Sequence, residues 1–297
     1  MTVGRFAPSP SGRMHLGNLF TALLAWLSVR SQNGKMLLRI EDLDPDRSKQ
    51  AYIDALKDDL QWLGLDWDEE MPLQSTRSEF YGRAFAQLPT YPCYCSRNEL
   101  HDASAPHASD GKFIYAGTCR NLTDDERKAK TRKPAWRVCV PDHEISFTDG
   151  VFGAQKENLA EECGDFIVRR SDGVYAYQLA VVCDDAGGGV TEVVRGCDLL
   201  NSTPRQIWLY QALHKPVPQF YHVPLLVAPD GKRLSKREKS LDMAHLRSRF
   251  QPEELLGILS NLAGLTEENH PVNASELIEL FSWDKIGKDP ITVNSVI

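Results

Sequence analysis

The segment from residue 3 to residue 40 constrains the fold most. Residues 3–7 read as a short strand and Pro8-Ser9-Pro10-Ser11-Gly12 as a tight turn. Residues 16–31 read as a helix, with Leu19, Leu23, Leu24 and Leu27 at helical spacing. Gly34 stands where a helix C-cap belongs. Met36-Leu37-Leu38-Arg39-Ile40 then has the apolar character of a buried strand. Strand, helix and strand at this spacing make a βαβ unit of a parallel sheet, so the predicted fold class is α/β.

Beyond this unit, residues 51–63 and 78–88 have helical patterns. From residue 91 to 165 the apolar periodicity weakens, cysteines cluster, and polar loops with His101, His107 and a basic stretch appear, as in an insertion within a nucleotide-binding fold. Residues 165–170 and 175–184 read as strand-like. Residues 203–213 read as a helix, and 220–227 as a strand entering a basic loop. Residues 252–263 and 275–281 are predicted amphipathic helices of a small tail.

With 42% hydrophobic and 25% charged residues, the composition is that of an ordinary globular protein. No apolar run suits a membrane span or a signal peptide, so a cytoplasmic location is expected. Seven cysteines, an odd number in a long chain, fit reduced thiols or a metal site better than a disulfide framework. The net charge of −7 argues only weakly against a nucleic-acid partner. Local basic groups remain at Arg120, Arg127, Lys128, Lys130, Arg132 and Lys133, and later at Lys232 to Lys239, Arg247 and Arg249.

Two segments carry phosphate chemistry. His15-Leu16-Gly17-Asn18 follows the strand and turn, where a helix N-terminus presents backbone N–H groups and a positive dipole end to an anion. His15 adds an imidazole donor, and Gly17 leaves room for a flat adenine or ribose. The second segment is Gly231-Lys232-Arg233-Leu234-Ser235-Lys236-Arg237, whose lysines 232 and 236 suit triphosphate charge as it moves onto pyrophosphate. Separately, Cys93, Cys95 and Cys119 supply three thiolates for a tetrahedral zinc, with Tyr115, His101 or His107 as the fourth ligand.

Together the two segments resemble the HIGH and KMSKS signatures of the class I aminoacyl-tRNA synthetases. Arg5-Phe6-Ala7-Pro8-Ser9-Pro10-Ser11-Gly12, Arg39-Ile40-Glu41-Asp42-Leu43-Asp44, the run from Tyr177 to Asp185 and Val194-Arg195-Gly196-Cys197-Asp198-Leu199-Leu200 resemble the glutamyl branch. The resemblance covers about residues 3–240. It implies a Rossmann-type class I synthetase catalytic domain, with the nucleotide-binding fold in residues 1–90 and 166–240. A zinc-containing, acceptor-type insertion would occupy residues 91–165, and a short helical tail 241–297.

The resemblance also implies site roles. His15 and Lys236 are the expected catalytic groups. His15, Gly17, Asn18, Arg233, Leu234, Ser235 and Lys236 would bind ATP, which brings Mg²⁺. Glutamate carries two carboxylates and an ammonium group. Arg5 and Arg195 would supply guanidinium forks, Glu41 the ammonium partner, and Ser9 and Tyr177 orienting hydroxyls. The Cys-x-Cys…Tyr-x₃-Cys pattern resembles the zinc site of the glutamyl-queuosine tRNA(Asp) synthetases, which points to Tyr115 beside Cys93, Cys95 and Cys119. Val181 departs from the branch, whose members commonly carry a polar Asn there.

The acceptor is expected from the length of the chain. A full glutamyl-tRNA synthetase continues after the KMSKS loop into a large helical anticodon-binding region, whereas only residues 238–297 follow here. The expectation is the short paralogue family, which activates L-glutamate without tRNA and transfers it to queuosine in tRNA(Asp), with no membrane partner and a monomer as the default. The alternatives are a catalytic fragment charging the 3′ end of tRNA(Glu) and a non-catalytic tRNA-binding module.

Overall fold

Strands β1 (Val3–Phe6) and β2 (Lys35–Leu38) pair in parallel from Val3↔Lys35 to Phe6↔Leu38, and helix α1 (Leu16–Ser31) crosses between them. The computed structural model describes residues 1–95, 114–232 and 241–293. After α2 (Gln50–Trp62), the two-residue β3 (Glu69–Glu70) extends the parallel layer beyond β2. Helix α3 (Ser78–Phe85) leads into the inserted segment, which begins with β4 (Thr90–Cys93).

The insertion contains α4 (Asp124–Lys128), β5 (Ala135–Val138), β6 (Glu144–Asp149), β7 (Gly153–Asn158), α5 (Leu159–Glu162) and β8 (Ile167–Arg169). Its strands are antiparallel: β4, β5 and β8 form one sheet, and β6 and β7 a hairpin. The chain then returns to parallel pairing. Helix α6 (Tyr177–Gly187) precedes β9 (Glu192–Gly196), and α7 (Thr203–Ala212) crosses to β10 (Gln219–Val223), which pairs in parallel with β9.

β1 lies beside β9, joined by the Thr191 N–H to the Val3 carbonyl at 2.9 Å. The chain therefore runs from β1 to β2 on one side and places β9 on the other. That arrangement opens a crevice at the carboxyl ends of the strands, where open α/β sheets bind their ligands.

Two expectations need correction. Of residues 175–184, those from Tyr177 on are helical in α6, not strand-like, and only Tyr175 makes a β-bridge, to Arg169. Leu179, Ala180, Val181, Val182 and Cys183 are all buried, and a run buried all round has no periodicity that separates helix from strand. The expected strand at 220–227 is broken at Pro224, which has no N–H for a ladder. The short β11 (Leu226–Val227) follows the break and pairs with β12 (Ile291–Thr292).

The tail also contributes α8 (Met243–Arg249), unforeseen in the sequence, followed by α9 (Pro252–Leu262) and α10 (Ala274–Leu280). Helix α1 is buried and apolar around most of its circumference because the sheet covers one side and the tail the other. Leu255, Leu259 and Leu277 are fully buried in the same core as Leu19, Leu23 and Leu27, each burial contributing about 2 kcal/mol. Trp283 stacks on Tyr221 with centroids 4.3 Å apart, and its Nε1 donates to Ser28 Oγ at 3.1 Å. No helix among the described residues is long and apolar enough to cross a membrane.

Candidate active site

The crevice between β1 and β9 is a cavity of about 420 Å³, within the usual range for small-ligand sites. Arg5, Ser9, Glu41, Tyr177 and Arg195 all line it, and so do His15, Gly17 and Asn18. Arg233, Leu234, Ser235 and Lys236 lie outside the described residues, as do His101 and His107. Val181 is buried in the apolar core and is not among the residues lining the cavity.

Backbone pairing places the first of these groups. The Arg39 N–H donates to the Phe6 carbonyl at 2.9 Å and the Glu41 N–H to the Pro8 carbonyl at 3.0 Å. The β1–β2 ladder thus continues past both strands and sets the turn that carries Ser9 against Glu41.

His15 is the N-cap of α1. Its Nδ1 accepts from the Gly17 N–H at 3.2 Å, and its own N–H donates to Asn18 Oδ1 at 3.1 Å. This reciprocal box closes the first turn. A neutral ring whose Nδ1 accepts carries its proton on Nε2. Gly17 serves this cap, since a Cβ there would come within 3.2 Å of the His15 ring. Its N–H is engaged with His15 and is not held out to an anion, contrary to the expectation for a bare helix end.

A buried lattice of two cations and two anions underlies the cavity. Arg39, with no solvent exposure, donates through Nη2 to Glu41 Oε1 at 3.1 Å and through Nη1 to Asp185 Oδ1. Arg5 Nε lies 3.4 Å from the same Asp185 oxygen, and its Nη1 donates to the Val194 carbonyl at 3.0 Å. Burial alone would disfavour charge on Arg39, but Asp185 and Glu41 outweigh it and hold the guanidinium firmly protonated. Burial also works against the Asp185 carboxylate, yet Arg39 and Arg5 keep it below the usual range.

Glu41 behaves oppositely. Burial pushes its carboxyl above the ordinary value despite Arg39 and Arg5. Tyr177, half-buried near Glu41, is pushed up to about 12 by desolvation and by that charge, so it stays a neutral hydroxyl. A ligand ammonium needs Glu41 ionised, and protons compete with it at low pH. Ammonium-ligand affinity should therefore be full well above the raised pKa and fall as pH drops through it. The fall should begin at higher pH than the ~4.3 of a free glutamate side chain would give. Calorimetric titration of amino acid between pH 4 and 8 checks this, and a Glu41→Gln variant should lose the dependence together with most of the affinity.

Arg195 is held by four acceptors. Nε donates to His222 Nε2 at 3.0 Å, Nη1 to Gln206 Oε1 at 2.7 Å, and Nη2 to Thr203 Oγ1 at 2.7 Å and the Leu199 carbonyl at 3.4 Å. A guanidinium has five N–H donors, so one Nη1 hydrogen is taken by no described residue and is available to a ligand. The expected two-pronged fork is replaced by a rigid single donor.

The three thiols expected to bind metal also converge. The Sγ atoms of Cys93, Cys95 and Cys119 lie within 4.8 Å of one another, with Cys95 and Cys119 at 3.7 Å. Tyr115 Oη is 3.5 Å from Cys93 Sγ and 3.8 Å from Cys95 Sγ, and it accepts the Cys119 N–H at 2.9 Å. Tetrahedral zinc with ~2.3 Å Zn–S bonds requires S···S separations of about 3.8 Å, so the donor set fits that ion. Gly164, at φ +65°, lets the backbone close on Tyr115, because a Cβ would come within 2.3 Å of the Tyr115 carbonyl. Arg137 lies over the Tyr115 ring at 3.5 Å and donates to Cys93 Sγ at 3.3 Å.

Sequence reasoning did not single out Arg39 and Asp185 as site groups, nor Gln206, His222 and Asp149. A charged residue inside the apolar strand run 36–40, and a paired Asp184-Asp185 ending an apolar run, were the available signals, because a buried charge needs a partner. His222, Gln206 and Asp149 carry no comparable local mark.

Residues 1–295 match the family described as tRNA synthetases class I (E and Q), catalytic domain. A protein of Symbiobacterium thermophilum named Glutamyl-Q tRNA(Asp) synthetase is 49% identical, over 99% of this chain and 96% of its own. One of the same name from Nitratidesulfovibrio vulgaris is 47% identical, over 98% and 95%. Among solved structures, the glutamate-tRNA synthetase of Elizabethkingia anophelis superposes with a TM-score of 0.83 at 25% identity. That match covers 99% of this chain and 68% of the synthetase.

Proposed function

Since the chain belongs to the class I tRNA synthetases of the E and Q type, we propose that it activates L-glutamate with ATP and transfers it to queuosine of tRNA(Asp). A glutamate carboxylate oxygen attacks the α-phosphorus of ATP·Mg²⁺. The bond to the bridging oxygen breaks, pyrophosphate leaves, and glutamyl-adenylate remains. The acceptor then attacks the glutamyl carbonyl and AMP departs. No protein nucleophile is needed, and catalysis rests on positioning and charge stabilisation.

In this reading Arg5 and the single Nη1 donor of Arg195 hold carboxylate, Glu41 holds the ammonium group, and the Ser9 and Tyr177 hydroxyls orient the substrate. His15, Gly17 and Asn18 meet ATP from the α1 end, and Arg233, Leu234, Ser235 and Lys236 from the second signature, with His15 and Lys236 at the phosphates. Zinc belongs to Cys93, Cys95, Cys119 and Tyr115 as a closed structural site. The corresponding expectation for the whole enzyme is a cytoplasmic monomer.

The observation that carries this reading is the near end-to-end correspondence with proteins named Glutamyl-Q tRNA(Asp) synthetase. The convergence of both glutamate cations and Glu41 on one cavity supports it. A second reading, charging of tRNA(Glu), draws on the likeness to the Elizabethkingia structure. Glutamate-dependent ATP–pyrophosphate exchange without tRNA, followed by transfer of labelled glutamate to tRNA(Asp) with and without queuosine, separates the two.

A further inference from the structure

The ring that fixes Arg195 is itself fixed from behind. His222 Nδ1 lies 2.6 Å from Asp149 Oδ2, while its Nε2 faces Arg195 Nε at 3.0 Å and Thr203 Oγ1 at 3.2 Å. An ionised carboxylate at Nδ1 places the ring proton there, leaving a lone pair on Nε2 to accept the Arg195 N–H. The other tautomer would set two N–H groups head to head at 3.0 Å and a lone pair against a carboxylate at 2.6 Å. Burial is the main force keeping His222 neutral, pushing it down to about 4.

Asp149 has little freedom of its own. Its Oδ1 accepts the N–H groups of Val151 at 3.0 Å, Phe152 at 2.8 Å and His222 at 3.3 Å. The Phe220 ring lies nearly parallel to the imidazole, at 14°, and Arg195 Cζ sits 5.2 Å from the same ring. His222 and Asp149 are at most 1% exposed. Asp149 ends β6 in the insertion and His222 belongs to β10, so the chain links the inserted hairpin to the cavity wall.

We propose that Asp149 and His222 are positioning residues for the substrate carboxylate: Asp149 fixes the Nδ1–H tautomer, His222 Nε2 locks Arg195 Nε–H, and the guanidinium keeps on the cavity side the Nη1 hydrogen that no described residue takes. The proposal rests on the reading that Arg195 meets glutamate. It adds that a tautomer, and not merely a packed ring, sets the affinity.

Asp149→Asn isolates the effect at almost constant volume. Its Oδ1 can stay on the three backbone donors only if its amide N–H faces His222, which drives the ring proton to Nε2 and against Arg195. In the exchange reaction the KM for glutamate should rise roughly 10–100-fold, the loss of one charge-assisted hydrogen bond. The KM for ATP should stay within about 2-fold and kcat should change far less. His222→Leu should behave like Asp149→Asn. His222→Gln, whose amide oxygen can accept near the Nε2 position, should recover most of the affinity.

Nitrogen-15 spectra of histidine-labelled wild-type protein, with His222 assigned from the His222→Gln spectrum, should show a protonated Nδ1 and a bare Nε2. A protonated Nε2 in the wild type would overturn the proposal without any variant needing to fold. So would active Asp149→Asn and His222→Leu proteins with an unchanged KM for glutamate. A wild-type protein without glutamate-dependent exchange would instead defeat the functional reading, leaving the tautomer measurement standing on its own.

Discussion

Replacing Arg39 by methionine should lower the unfolding free energy by about 3–5 kcal/mol at pH 7, the usual consequence of removing one partner from a buried ion network. Methionine fills much of the volume but leaves Asp185 and Glu41 inside the protein without the cation that joins them. Among the described residues Asp185 keeps Arg5 as its one paired cation, at 3.4 Å, and the Tyr210 hydroxyl, which donates to Oδ2 at 3.4 Å. The pH dependence has a definite sign. In the wild type the Asp185 pKa is depressed, so its contribution is full above the unfolded value of ~3.9 and is lost as pH falls through the folded one. Without Arg39 both carboxyls can be relieved by protonation. The deficit should therefore be largest near neutrality and shrink toward pH 4. Urea unfolding of both proteins at pH 7 and pH 4.5 measures this, and a deficit below ~1 kcal/mol at pH 7 would mean that the lattice does not hold the site together.

Stripping zinc should separate the two half-reactions. Among the described residues, none from β4 through β8 lines the cavity, so the groups proposed for adenylate formation make no direct use of the thiol cluster. Purified protein is expected to hold one zinc per chain. Strong chelation, or Cys119→Ser, should release it and cause local unfolding around β4 and β5, where Cys93, Arg137 and Tyr115 interlock. Zinc-finger sites supply ~10–16 kcal/mol of binding energy, enough to decide whether such a small cluster folds. Transfer to tRNA should be lost while pyrophosphate exchange stays within several-fold. Metal-free protein as purified, or equal loss of both half-reactions, would contradict that division of labour.

How far each part could be read in the sequence follows from the range of the interaction that fixes it. The β1–α1–β2 unit was legible because its periodicity is local, although the expected cap at Gly34 is replaced: Gln32 caps α1, Asn33 takes the left-handed turn at φ +52°, and Gly34 is needed because a Cβ there would meet the Thr2 carbonyl at 2.6 Å. The helix at Tyr177–Gly187 was not, because burial on all sides erased the pattern. Among the site groups, Arg5, Ser9, Glu41, Tyr177 and Arg195 were named through family resemblance, and the structure brings them to one cavity. What holds them could not be read locally: Arg39 meets Asp185 across 146 positions, and His222 meets Asp149 across 73. The same limit explains Gly17, whose need arises from the His15 ring folding back on it, and Arg195, whose donors are mostly taken by residues on α7 and β10.

As proposed, the residues gathered at the β1–β9 crevice act with the segment Arg233 to Lys236 to activate glutamate without help from tRNA. Glutamate-dependent ATP–pyrophosphate exchange by the purified protein, measured with tRNA absent and then present, tests it most directly. The expected result is exchange without tRNA, abolished by Glu41→Gln and little altered by added tRNA. Exchange that appears only when tRNA is supplied would contradict it and favour a tRNA(Glu)-charging activity, and no exchange under either condition would refute the catalytic reading altogether.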